Sequence, residues 1–211
     1  GFVWAQAPLF RLQIHRRTNE QFNLTLSFHH AIWDGWSVAT LMTDLLELYT
    51  RHLNSYVDKT TSRLSPPTML YREFIALERD VLTNEHSRNY WNTLLYDANI
   101  IQLPRWLQRN DSESVNDIGN HALDLSIELS DRLRQFAREA GVPLKSVLLA
   151  AHLNVLRVLS NQTDITTGLV SNGRPEVADS ERCLGLFLNT LPFRLSLTGG
   201  SWMELVQQVF D

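Results

Sequence analysis

The chain has 211 residues, 44% hydrophobic and 20% charged, with 19 Lys and Arg against 23 Asp and Glu for a net charge of -4. This is ordinary globular composition, long enough for one large or two small domains, without the basic excess that a nucleic-acid partner calls for. No apolar run reaches the roughly 18 residues of a membrane span, and the N-terminus lacks the charged start and apolar core of a signal peptide. A cytosolic protein with no membrane partner is expected. Cys183, the one cysteine, leaves no internal disulfide and no thiolate zinc site.

In chain order, residues 8–16 and 22–30 alternate in polarity and are joined by the polar segment 17–21, which predicts a β-hairpin. Phe10, Leu12 and Ile14 share one face of the first strand, and Leu24, Leu26, Phe28 and His30 one face of the second. A helix is expected from Gly35 to about Asn54, with Val38, Leu41, Met42, Leu45, Leu46, Tyr49 and Leu53 as its buried stripe. The polar stretch 58–67, ending in Pro66 and Pro67, reads as a linker. Residues 68–96 are helical with a break near Asn84. A second polar loop, 108–120, precedes an alternating strand over 121–129. Ser130 is expected to cap a helix from Asp131 to Ala140, which Gly141 ends, and Pro143 to open the next, 144–159. Two strands follow, 164–170 and 187–197. The last helix, capped by Ser201, stops at Asp211 without a capping signal, and the first strand begins almost at once at Pro8. Both ends therefore read as cut, and the chain as a segment of a longer one. Strands and helices mix without strict alternation, so the class is an α/β sandwich or α+β.

The most specific stretch is Phe28 to Gly35, FHHAIWDG. Neighbouring residues on a strand point to opposite faces, so His29 and His30 cannot both serve one site. A strand end carrying one imidazole, followed by an acid and a glycine four and five residues on, suits the placement of a single histidine.

This stretch resembles the HHxxxDG motif of the condensation domains of non-ribosomal peptide synthetases, within the chloramphenicol-acetyltransferase-like superfamily. Three further segments resemble family motifs in the expected order. Tyr71 to Glu78 is similar to an aromatic-acidic helix motif, with Glu73 for Asp and Leu77 for the usual Trp. Gly168 to Pro175 is similar to a strand-to-turn segment ending in Gly173-Arg174. Leu184 to Arg194, LGLFLNTLPFR, is similar to the GxFxNTLPxR motif. The resemblance covers the centre of the family's span and omits its first two and last two motifs. It implies the chloramphenicol-acetyltransferase-like sandwich, here parts of two pseudo-symmetric lobes. Residues 1–60 would end the N-terminal lobe, 61–67 would link, and 68–211 would begin the C-terminal lobe.

The implied reaction transfers an acyl or peptidyl group from a donor carrier-protein thioester to the amine of an acceptor aminoacyl carrier. No cofactor is held by the chain itself; 4'-phosphopantetheine arrives on the carriers, and an adenylation domain is the expected neighbour. His30 takes the working role and Asp34 a structural one, paired with an arginine for which Arg174 is the nearest candidate. His29 and Gly35 support the motif, Gly35 because a side chain would crowd the turn into the helix. Ser171, Asn189 and Thr190 are candidates for contacts to substrate or to the pantetheine arm. Whether His30 acts as a base or as an anchor stays open.

Other readings remain. An epimerisation domain carries the same motif, a free-standing acyltransferase of this superfamily carries it near its C-terminus, and a non-catalytic docking or scaffold piece is a separate class. A metal site built on His29, His30 and Asp34 is not expected, because the two imidazoles face opposite ways and the sequence offers no other ligand cluster. His15, His52, His86, His121 and His152 read as structural, and Cys183 as a small core residue.

Overall fold

The computed structural model describes residues 1–53, 65–104 and 120–211. Most of the expected linker and nearly all of the loop 108–120 lie outside the described residues. The chain divides into two compact units, residues 1–89 with 170–191 and residues 90–169 with 192–211. Each is described by itself.

In the first unit, β1 (Phe10–Arg16) and β2 (Phe22–Phe28) form an antiparallel hairpin. Alternation sets its register: Phe10, Leu12 and Ile14 oppose Phe28, Leu26 and Leu24, so the apolar parities of the two strands coincide. The turn closes through the N–H groups of Arg17 and Thr18, which donate to Gln21 O at 2.9 and 3.1 Å. β2 ends two residues earlier than expected. The His29 N–H still reaches Leu9 O at 2.8 Å, but the chain turns at His30.

Helix α1 (Gly35–Leu53) follows. Its stripe was expected to be core; instead Val38, Leu41, Met42 and Leu45 are half-buried and Leu46, Tyr49 and Leu53 exposed. On that face the Phe22 ring of the hairpin meets the Tyr49 ring edge to face at 5.5 Å. Helices α2 (Tyr71–Thr83) and α3 (Glu85–Leu95) are separated by Asn84. The Glu73 carboxylate caps α2 by accepting the Leu70 N–H at 3.1 Å, a role its acidity serves as well as aspartate would. Asn84 Oδ1 accepts the Ser87 N–H at 3.1 Å at the start of α3. Met69, Phe74, Cys183 and Phe187 form this unit's buried cluster, with Tyr71 and Ile75 against it.

The second unit holds α4 (Ile127–Ala140), α5 (Leu144–Ser160) and α6 (Trp202–Phe210). Their core is Ala137, Ala140, Val147, Ala150, Leu153, Val206 and Val209, together with Ile165 and Leu197. Small residues at 137, 140 and 150 let helices approach closely. Gly141, at φ 70°, ends α4 in the left-handed conformation expected of a C-terminal glycine. The strand expected over 121–129 is absent. Ser126 rather than Ser130 caps α4, accepting the Leu129 N–H at 3.2 Å, and Glu128 lies in the first turn. A cap and a first-turn acid start a helix locally, whereas residues 121–126 find no strand to pair with among the described residues.

Strands β3 (Asp164–Asn172) and β4 (Leu188–Ser196) pair, and the boundary between the units runs through both. In the second unit Arg194, on β4, grips Asp164 through two nitrogens at 2.6 and 2.9 Å and donates to Asp97 and Leu94 O, each at 2.7 Å. One guanidinium thus ties the start of β3 to the segment after α3.

Candidate active site

Parts of all four motif segments lie in the first unit. Asp34, 2% exposed, precedes α1 and caps it: its Oδ1 accepts the Ser37 N–H at 2.7 Å and its backbone oxygen the Val38 N–H at 3.1 Å. The other carboxylate oxygen accepts the Phe187 N–H at 3.2 Å, and the Asp34 N–H donates to Gly185 O at 3.1 Å. Ser37, fully buried, closes the same joint: its hydroxyl donates to Gly185 O at 2.7 Å and accepts the Gly185 N–H at 3.0 Å. The motif acid is therefore bolted to the LGLF segment 150 residues away in sequence by backbone as well as side chain.

Arg174 completes the joint. Its Nη2 lies 3.7 Å from Asp34 Oδ1, and both side chains are almost entirely buried. Its Nη1 donates to Ser180 O and, at 2.6 Å, to Cys183 O, and its guanidinium lies 3.8 Å from the Phe187 ring centroid. Burial raises the Asp34 carboxyl, but the hydrogen bonds from Ser37 and Phe187 and the Arg174 charge outweigh it and hold Asp34 below the usual carboxylate range. Burial pushes the Cys183 thiol up, against the weaker pull of Arg174. Asp34 is thus ionised, saturated and sealed from solvent, the arrangement of a structural acid.

Tyr71 and Phe74 from α2 pack on Phe187 at 5.3 and 4.8 Å between ring centroids, and the Tyr71 hydroxyl donates to Leu186 O at 2.9 Å. A Cβ on Gly185 would stand 2.1 Å from Tyr71 Cδ2. Gly185→Ala is therefore expected to lower stability by about 3 kcal/mol, the upper range of overpacking. Tyr71→Leu should recover part of that loss in the double variant, read as the urea midpoint. Gly35 differs: a Cβ there meets nothing within 4 Å, so crowding at that turn does not explain the motif glycine.

The histidines sit apart from this joint. His29, half-buried, accepts the Ala31 N–H on Nδ1 at 3.1 Å and takes the edge of Trp4 at 4.8 Å. His30 is exposed and, among the described residues, makes no hydrogen bond; its neighbour is the Phe28 ring at 6.2 Å. Ser171 is half-buried on β3, and Asn189 and Thr190 are exposed at the start of β4, where Asn189 Oδ1 accepts the Thr190 N–H at 2.8 Å. None of these three bonds to His30 or Asp34. Ser37 is the residue of the joint that the motifs leave out, and Gly185 lies in a motif that does not show its bonds to Ser37. The Asp34-x-x-Ser37 spacing signals the helix cap, but nothing local signals the partner at Gly185.

The site thus combines a histidine at a strand end with a separate buried acid that caps the next helix and is held from a distant Gly-x-Phe turn. The chain belongs to the condensation-domain family, whose model, Condensation domain, matches residues 1–210. It is 36% identical over 210 residues to the AMB antimetabolite synthetase AmbE of Pseudomonas aeruginosa, covering 100% of this chain and 10% of that protein. In structure it is similar to the first condensation domain of the calcium-dependent antibiotic synthetase, at TM-score 0.64 and 22% identity over 95% of this chain and 46% of that one. It is also similar to the epimerization domain of the third module of tyrocidine synthetase B, at TM-score 0.75 and 17% identity over 97% of this chain and 47% of that one. The fold is accordingly the chloramphenicol-acetyltransferase-like α/β fold of these domains, and the chain spans about a tenth of that synthetase and under half of those solved domains.

Proposed function

We propose that the polypeptide carrying this chain forms amide bonds in non-ribosomal peptide synthesis. The donor is an acyl or peptidyl thioester on one carrier protein and the acceptor an aminoacyl group on the next, both tethered through 4'-phosphopantetheine. The acceptor nitrogen attacks the thioester carbonyl carbon, a C–N bond forms, the C–S bond breaks, and the donor arm leaves as its thiol. A proton passes from the attacking nitrogen to the departing sulfur.

A thioester is already activated, so most of the work is orientation, which contributes up to about 7–11 kcal/mol where reactants are fully positioned. His30 accepts a hydrogen bond from the acceptor amine or takes the proton from the tetrahedral adduct. Asn189, Thr190 and Ser171 are assigned to the pantetheine arm or substrate, residues 1–60 to the end of the N-terminal lobe and 68–211 to the start of the C-terminal one. The donor and acceptor carriers and an adjacent adenylation domain are the partners, in the cytosol. The observation that carries the reading is the contrast between His30, exposed and without a hydrogen bond among the described residues, and a sealed Asp34. The test loads donor and acceptor carriers through phosphopantetheine and follows both by intact mass. Movement of the acyl group onto the acceptor supports condensation.

The likeness to an epimerization domain favours a second reading, inversion at the α-carbon of one carrier-bound residue. Running the same assay in deuterium oxide separates the two. Mass gained on the donor without transfer to the acceptor would assign epimerisation.

A further inference from the structure

The variable triplet of the histidine motif is Ala31, Ile32 and Trp33. Its third member is a large aromatic, half-buried, immediately before Asp34. The Trp33 ring lies 5.0 Å from Phe10 and 5.7 Å from Phe28, tilted on both. Phe10 and Phe28 are themselves a directly opposed cross-strand pair at the end of the hairpin. The loop after β2 therefore folds back and lays one indole over the last rung of the ladder.

His30 lies two residues beyond Phe28, on the same parity, with ring centroids 6.2 Å apart at an angle of 47°. With no hydrogen bond to either imidazole nitrogen among the described residues, its orientation rests on packing. The Phe28 ring is its aromatic neighbour, and Trp33 packs on Phe28 in turn. Trp33 has no hydrogen bond to the imidazole that could act more directly.

We propose that Trp33 is a positioning residue: through Phe28 it holds the His30 imidazole in the direction from which it meets the acceptor amine. The claim rests on the assignment of His30 made above and adds to it the device that aims it. A misplacement on the order of 1 Å at a reacting group costs rate rather than binding. Trp33→Ala is therefore expected to slow acyl transfer about tenfold at saturating carriers, leave KM for both carriers unchanged, and be largely restored by Trp33→Phe.

The deciding experiment is a double-mutant cycle on single-turnover carrier-to-carrier transfer, in the polypeptide that carries the chain, with His30→Ala, Trp33→Ala and both. The proposal predicts that Trp33→Ala slows transfer in the parent but adds nothing once His30 is alanine. An equal loss in both backgrounds, or none in the parent, overturns the role of Trp33 and leaves His30 standing. Full activity of His30→Ala overturns both. If Trp33→Ala fails to fold, Trp33→Leu serves in the same cycle, read by the same criterion.

Discussion

Asp34→Ala is expected to cost about 3–5 kcal/mol of stability, the range found when one partner of a buried ion pair is removed. Three losses combine. The N-cap of α1 goes, worth about 1 kcal/mol alone. The Phe187 N–H, now 3.2 Å from a carboxylate oxygen, is left buried without an acceptor. The Arg174 guanidinium, with side-chain exposure of 6%, loses its neutralising charge. Asp34→Asn keeps an acceptor for the cap and loses the charge, so it should fall between the two. Urea midpoints at one pH measure all three proteins.

The same group gives a pH signature of definite sign. The folded state holds the Asp34 carboxyl below its ordinary 3.8, so the unfolded chain binds the proton more readily. The contribution of Asp34 to stability is complete above that value and is lost as pH falls through the lower, folded one. Between neutral pH and about pH 5 the stability gap between parent and Asp34→Asn should be constant, and below that it should shrink. A gap that widened on acidification would mean that the carboxyl is raised, not lowered, in the fold.

His30→Ala should behave in the opposite way. The side chain is exposed and unbonded among the described residues, so its loss should move stability by no more than about 0.5 kcal/mol. Its effect on transfer should be a fall of about 10²- to 10⁴-fold, the range for a positioned proton-transfer group. The two motif residues thus separate cleanly. On the proposed function, Asp34→Ala loses stability and His30→Ala loses transfer.

What could be read before the structure was what local rules encode. Polarity alternation set the hairpin and its register, because a slip of one residue would turn Phe10, Leu12 and Ile14 away from Phe28, Leu26 and Leu24. Gly141 and Ser201 marked helix ends for reasons contained in a few residues. The strand over 121–129 failed because alternation of Leu123, Leu125, Ile127 and Leu129 is a pattern only a neighbouring strand can use, and Ser126 offered a helix start that needs no neighbour. The stripe of α1 was legible as apolar, but not what covers it. At the site, the residue types were legible and their bonding was not. The Ser37–Gly185 exchange and the Tyr71 ring over Gly185 link positions more than 100 residues apart, and no periodicity reports such contacts. Gly35 shows the converse: a glycine that invites a steric explanation and has open space where its side chain would be.

The most direct test of the account is a pair of curves on one variant: carrier-to-carrier transfer by intact mass, and urea unfolding, for His30→Ala beside the parent. The account predicts coincident unfolding curves and transfer reduced at least a hundredfold, on the order expected for loss of a general acid–base group. Equal transfer rates with coincident curves would contradict it, and would remove His30 from the chemistry.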